Sequence, residues 1–404
     1  MPSSRNSGAT LAVIAVAAAI GASAVSGAHG TVPRPSQWTK LPVTIDVTSG
    51  NWFRILGWAS GRIWFGVGSQ ASSGTPVGTI WSARLSGSHL TSFVSSRVTD
   101  DQLGQSFLLG SRLIQSFTKD ARTAALLPSG KVGPWVPIPG DPIGVAQQLL
   151  LGGEVQSGAT LGARALWVVV GGAKSAAGGT SVVVCCTPSG EPTDVASALV
   201  NKLKFVPLSV RLGVDAKGRV WLAWAETVNA GLLSVHLVEL DAATLAPTVT
   251  KSYGPAGNGG GGGSQASDSF TLACSDTCHL VFSSRTGILD WDGNGAPVKL
   301  VATRGVPGPG LLAAAYVGQR LEIVTTKGSG DYGWQVIASR EATRAGGLAA
   351  IASAAVPRAA PHPNETYFAQ ALRAAPTPTG FVTLAGYPAS GRQLLPLVGT
   401  VLRK

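Results

Sequence analysis

Apolar residues in this chain gather in short runs of Val, Ile, Leu, Thr and Trp closed off by Gly and Pro, and long helical periodicity is nearly absent. Such runs predict strands. One phrase returns among them: an Arg, usually one residue after Gly, Ser or Ala, opens a run of large apolar residues. It appears as Gly61-Arg62-Ile63-Trp64, Ser111-Arg112-Leu113-Ile114, Ala163-Arg164-Ala165-Leu166-Trp167, Gly218-Arg219-Val220-Trp221 and Gln319-Arg320-Leu321. His279-Leu280-Val281 is a variant, and Gly380-Phe381-Val382 has lost the Arg. Successive key positions are separated by 50, 52, 55, 60, 41 and 61 residues.

Repeats of about 40–60 residues, each with a turn before a strand, are the pattern of propeller blades. Placing each Arg phrase at the start of a second strand draws seven blades of four antiparallel strands. They run over Trp52–Val98, Ser106–Ile138, Ala146–Ala198, Phe205–Ser252, Phe270–Thr303, Leu311–Ala355 and Tyr367–Leu402. Six or eight blades are the alternatives, since the second is compact and the third long. The last blade has three strands, and Val43–Thr48 is an alternating β-rich segment with no blade of its own. Pairing it with the last blade closes the ring and removes two open edges. The chain thus resembles the secreted bacterial β-propellers, like the sialidase-like and kelch-like repeats in architecture only. The resemblance covers nearly all of the chain after its first thirty residues and implies an all-β fold without implying a function.

Residues 1–30 read separately. Arg5 stands in a polar start, Leu11–Ile20 is wholly apolar, and Ala22-Ser23-Ala24 and Ser26-Gly27-Ala28 are small-residue cleavage motifs, so a secretory signal is expected, followed by a propeller domain over 31–404. An uncleaved anchor over Leu11–Ala28 is the alternative. Localisation is therefore read as extracellular or bound to the cell envelope. The net charge is +11, with Arg and Lys scattered. That diffuse field suits an extracellular protein, a glycan or an anionic envelope polymer as partner, or solubility alone, and nucleic acid is not expected. The chain is expected to be a monomer.

Export allows disulfides among the four Cys. Cys274 and Cys278 flank Ser275-Asp276-Thr277 at the arms of a tight turn, where a bridge is natural. Cys185 and Cys186 point to opposite faces of a flat strand, so two thiols are the default and a vicinal disulfide the alternative. Asp290-Trp291-Asp292-Gly293-Asn294-Gly295 matches the opening of a calcium loop, with Asp290, Asp292 and Asn294 as ligands, but position twelve is Val301 where an EF-hand needs Glu. A hairpin turn is the competing reading, and no other cofactor is expected.

Ser329-Gly330-Asp331-Tyr332-Gly333-Trp334 is a broken version of the Asp box of sialidase-like propellers and reads as a turn. Trp64, Trp167, Trp221 and Trp224 fall at similar places in successive blades, as packing between blades or as a sugar platform. Ligands of propellers bind the face carrying the lead-in loops and the loops between second and third strands. Asp100, Glu226, Arg285 and Asp331 are the candidates there. No Ser-His-Asp frame, phosphate loop or metal triad is readable. The reading leans to a non-catalytic binding module; the alternative is a glycan-active hydrolase or lyase at the funnel.

Overall fold

The computed structural model describes residues 38–42, 52–70, 76–98, 106–116, 121–174, 180–195, 205–228, 232–257, 270–284, 287–302, 310–328, 335–342, 347–356, 359–362, 365–367, 371–386 and 398–403. Seven four-stranded antiparallel sheets form a seven-bladed β-propeller. The first strands are Trp52–Ala59, Ser106–Leu109, Glu154–Leu161, Phe205–Val214, Phe270–Cys274, Gly310–Val317 and Ala371–Thr377. Each forms one edge of its sheet and touches the first strands of the blades before and after it, so the seven line the central channel. In six blades the second, third and fourth strands follow outward in sequence order.

The seventh blade is closed as expected, by a segment slightly upstream of the one read from the pattern. Thr39–Lys40 is its outer strand, with Thr39 paired to Gly399 and Lys40 to Val398. Val43–Thr48 lies outside the described residues. Tyr367 belongs to a separate ribbon, Ala359–His362 with Glu365–Tyr367, and the inner strand of this blade begins at Ala371. The third blade begins at Glu154, not at Ala146, because Asp141 caps a helical turn over Pro142–Ala146.

Why a repeat of this kind closes is visible in the core. Among the described residues, seven apolar clusters fill the seven gaps between neighbouring blades. Successive side chains of a strand point to opposite faces. Trp64 therefore packs toward the second blade while Ile63 and Phe65 pack toward the seventh. Trp167, Trp221 and Trp224 fill the gaps between blades two and three, four and five, and three and four. All four indoles are at most 7% exposed, so they are packing residues and not a sugar platform.

The Arg phrase opens the second strand, and its lead-in turn is short. Ser60 and Gly61, at φ 51° and 72°, form a two-residue turn with both residues left-handed, whose twist matches the strands.

Candidate functional site

Register explains the recurrent Arg. In four blades the side chain that opens the second strand crosses diagonally to one position on the third strand. Arg62 Nε donates to Ser82 Oγ at 2.9 Å, and Arg112 Nε to Thr123 Oγ1 at 2.9 Å. His279 Nδ1 lies 2.9 Å from Asp290 Oδ1, and Arg320 Nη1 donates to Glu341 Oε2 at 3.4 Å. Ser82, Thr123, Asp290 and Glu341 each pair with the residue two beyond the key position: Trp64, Ile114, Val281 and Glu322. The corners also join neighbouring blades. Ser82 Oγ donates to Gly130 O of the second blade at 2.8 Å, and Arg164 Nη2 donates to Ala242 O of the fourth. A Cβ on Gly130 would sit 2.6 Å from Ser82 Oγ. Burial and the nearby Arg84 charge hold the Arg62 pKa below its usual value.

The fourth blade replaces the two-residue corner with Asp215–Arg219. Buried Asp215 accepts from Lys217 N and Arg219 N at 3.0 Å, Arg219 Nε at 2.7 Å and Trp221 Nε1 at 3.0 Å. Burial pushes its carboxyl up, but these donors outweigh it and its pKa lies below the ordinary range. Arg219 Nη2 then donates to Asp276 O of the fifth blade at 3.1 Å.

That fifth-blade turn is closed by Cys274–Cys278, with Cα atoms 3.9 Å apart. The default of two thiols at Cys185 and Cys186 does not hold: the structure joins them, across a cis peptide bond. The flat-strand geometry assumed for them fails because the strand Thr180–Cys185 ends between the two.

Asp290, Asp292 and Asn294 sit at a turn with their oxygens engaged. Asp290 faces His279. Asp292 accepts from Asn294 N at 2.8 Å and Nδ2 at 3.0 Å. Asn294 Oδ1 accepts from Lys251 Nζ at 2.7 Å. A calcium ion here would have to displace an ammonium group. Burial pushes His279 toward the neutral form, but Asp290, with help from Asp292, reverses it and raises the pKa. The edge of its ring meets Tyr316 of the sixth blade at 5.9 Å. Burial, then the charges of Asp290, Asp276 and Asp292, push the Tyr316 hydroxyl up to about 12.

The channel wall is different in kind. Arg54, Arg211 and Arg373 stand on the first strands of blades one, four and seven, paired with Gly66, Ala223 and Leu384. Gly66 and Ala223 lie four residues beyond Arg62 and Arg219, and Leu384 four beyond Gly380, which opens the second strand of the seventh blade, so the three arginines share one register height on their inner strands. Arg211 and Arg373 repeat one conformation, donating from Nη1 to the preceding carbonyl at 3.0 Å. Arg211 also lies over the Phe270 ring at 5.5 Å. Glu154 begins the inner strand of the third blade. Burial raises its pKa, opposed by Gln156 and by the charge of Arg54, two blades away along the ring. Gln156 occupies the bulge between Val155 and Ser157 and is 8% exposed. Its amide is near enough to favour ionised Glu154, yet neither its nitrogen nor its oxygen makes a hydrogen bond of normal length. Ser106 Oγ, on the adjacent inner strand, is likewise buried without a partner in the protein.

Of the residues expected at the mouth, Asp100, Arg285 and Asp331 lie outside the described residues. Glu226 sits on the second strand of the fourth blade, its backbone paired with Phe205 and Ser234. The sequence does carry a signal for the inner-wall arginines: Arg54 and Arg211 each stand eight residues before a key Arg, inside a largely apolar strand, and Arg373 seven before Gly380.

No family model matches the chain, and no curated protein matches it. Solved structures do, at low identity. A puromycin-hydrolysing peptidase of Mycobacterium tuberculosis is similar over 90% of this chain and 54% of its own, at 12% identity and a TM-score of 0.47. The chain thus spans about half of that relative's length. AofleA of Arthrobotrys oligospora is similar over 79% of this chain and 92% of its own, at 10% identity and a TM-score of 0.39. An endo-arabinase of Bacteroides thetaiotaomicron is similar over 73% of this chain and 90% of its own, at 15% identity and a TM-score of 0.31.

Proposed function

We propose that this protein is an exported, non-catalytic β-propeller that binds an anionic ligand, a glycan or envelope polymer, in its channel. The observation that carries the reading is the recurrence of Arg54, Arg211 and Arg373 at one height of the inner wall. A planar guanidinium offers paired donors to a carboxylate or phosphate, and several on the inner strands of one ring concentrate that preference. A glycan-active enzyme is the second reading, favoured by the raised pKa of Glu154 near Arg54. It needs a second carboxylate across the site, and the described first strands carry only Glu154.

Isothermal titration of the purified protein with trigalacturonate and with tripolyphosphate tests this. At least one should bind, with an affinity that falls as salt rises, and should be recovered intact. Absence of binding by either contradicts the proposal, and cleavage of the saccharide would favour the enzyme.

A further inference from the structure

Gln156 is the one described residue whose side-chain amide is buried with neither polar atom in a hydrogen bond of normal length, the Glu154 carboxyl being its one protein neighbour of matching chemistry. Leaving such a group without partners costs free energy, so its retention calls for a partner the chain itself does not supply. It sits in a bulge of an inner strand, a device that re-aims one side chain, beside Glu154, whose carboxyl feels the charge of Arg54.

We infer that Glu154 and Gln156 form a subsite that reads hydroxyl groups beside the anion held by the arginines, so that the ligand is an acidic sugar. This rests on the anion-binding reading above and narrows it. The chemistry selects among anions. Gln156 Oε1 needs a donor and Nε2 an acceptor. Ionised carboxylates and phosphates offer acceptors only, so a polyphosphate or a plain polyacid leaves Oε1 unpaired. A sugar hydroxyl both donates and accepts, and a uronic acid carries hydroxyls next to its carboxylate. Glu154 adds a hydroxyl acceptor when ionised, and when protonated it also donates.

The test compares trigalacturonate with tricarballylate, which carries three carboxylates and no hydroxyl, and with tripolyphosphate. Trigalacturonate should bind at least tenfold more tightly than tricarballylate. Gln156→Leu, of similar volume, should remove that advantage, leave tricarballylate and tripolyphosphate binding unchanged, and not lower the melting temperature. Should Gln156→Leu fail to fold, Gln156→Met removes the amide on an unbranched side chain and should shrink the same advantage. Equal binding of the two carboxylates by the native protein overturns the subsite while leaving anion binding intact. So does a Gln156→Leu variant with native preference, which would mean that trapped water satisfies the amide. Failure of all three ligands to bind would instead remove the anion-binding reading on which the subsite rests.

Discussion

The turn-side corners and the inner wall hold similar residues in opposite circumstances. At the corners, Asp215 accepts four hydrogen bonds, Arg62 and Arg112 meet hydroxyls, and His279 and Arg320 meet carboxylates. On the inner wall Gln156 and Ser106 make no hydrogen bond of normal length within the protein, and Glu154 is held toward its neutral form. Polar groups matched to one another specify a fold; a buried amide left unmatched in a bulge of an inner strand is suited to something that arrives from outside. The same contrast explains why hydroxyl and carboxylate acceptors serve equally at the corners. What those corners need is a diagonal pin between strands, not a particular charge.

If that contrast is right, stability and binding should respond to different residues. The largest stability effect belongs to Asp215→Ala, which strands four donors and should cost about 3–4 kcal/mol. Thermal and denaturant unfolding would show it, while trigalacturonate affinity of the folded fraction stays native. A loss below about 1 kcal/mol would mean the corner is not a pin. Arg373→Gln should do the reverse. Loss of a charge-assisted hydrogen bond is worth about 1.5–3 kcal/mol, about 10–100-fold in affinity, with little change in melting temperature.

His279 gives a smaller effect with a definite sign. Its folded pKa is raised above the unfolded value, so the stabilisation by Asp290 is fully present below about pH 6.5. It should fade as pH rises through the folded pKa. His279→Gln should flatten that part of the stability profile, and an unchanged slope between native and variant would sink the assignment. Asp215 acts at the other end, its contribution being lost as pH falls through its depressed pKa. The smallest expected change is at Glu154. Because its pKa is raised, anion affinity should climb a few-fold as acid neutralises it, and Glu154→Gln should bind somewhat more tightly with no such climb.

The ring was legible because the Arg phrase marks one structural position, the corner, in blade after blade. The tryptophans were legible because equivalent gaps between blades take equivalent side chains. The closure by an N-terminal strand was legible too, and among the described residues Thr39–Lys40 makes it, two residues sufficing to pair with Val398 and Gly399. The inner wall was the least legible part. A single Arg inside an apolar strand looks like any surface residue until register shows three of them at one height, and an unpaired Gln is invisible before its neighbours are placed. Strand alternation also misplaced Cys186, since it presumes a strand running through both cysteines, and this one stops at Cys185.

The most direct test sets melting temperature and trigalacturonate affinity side by side for Asp215→Ala and Arg373→Gln. The account predicts a crossed result: Asp215→Ala lowers the melting temperature and keeps the native affinity of the folded protein, while Arg373→Gln keeps the melting temperature and loses at least tenfold in affinity. Parallel losses in both quantities for both variants, or native affinity in Arg373→Gln, would contradict it.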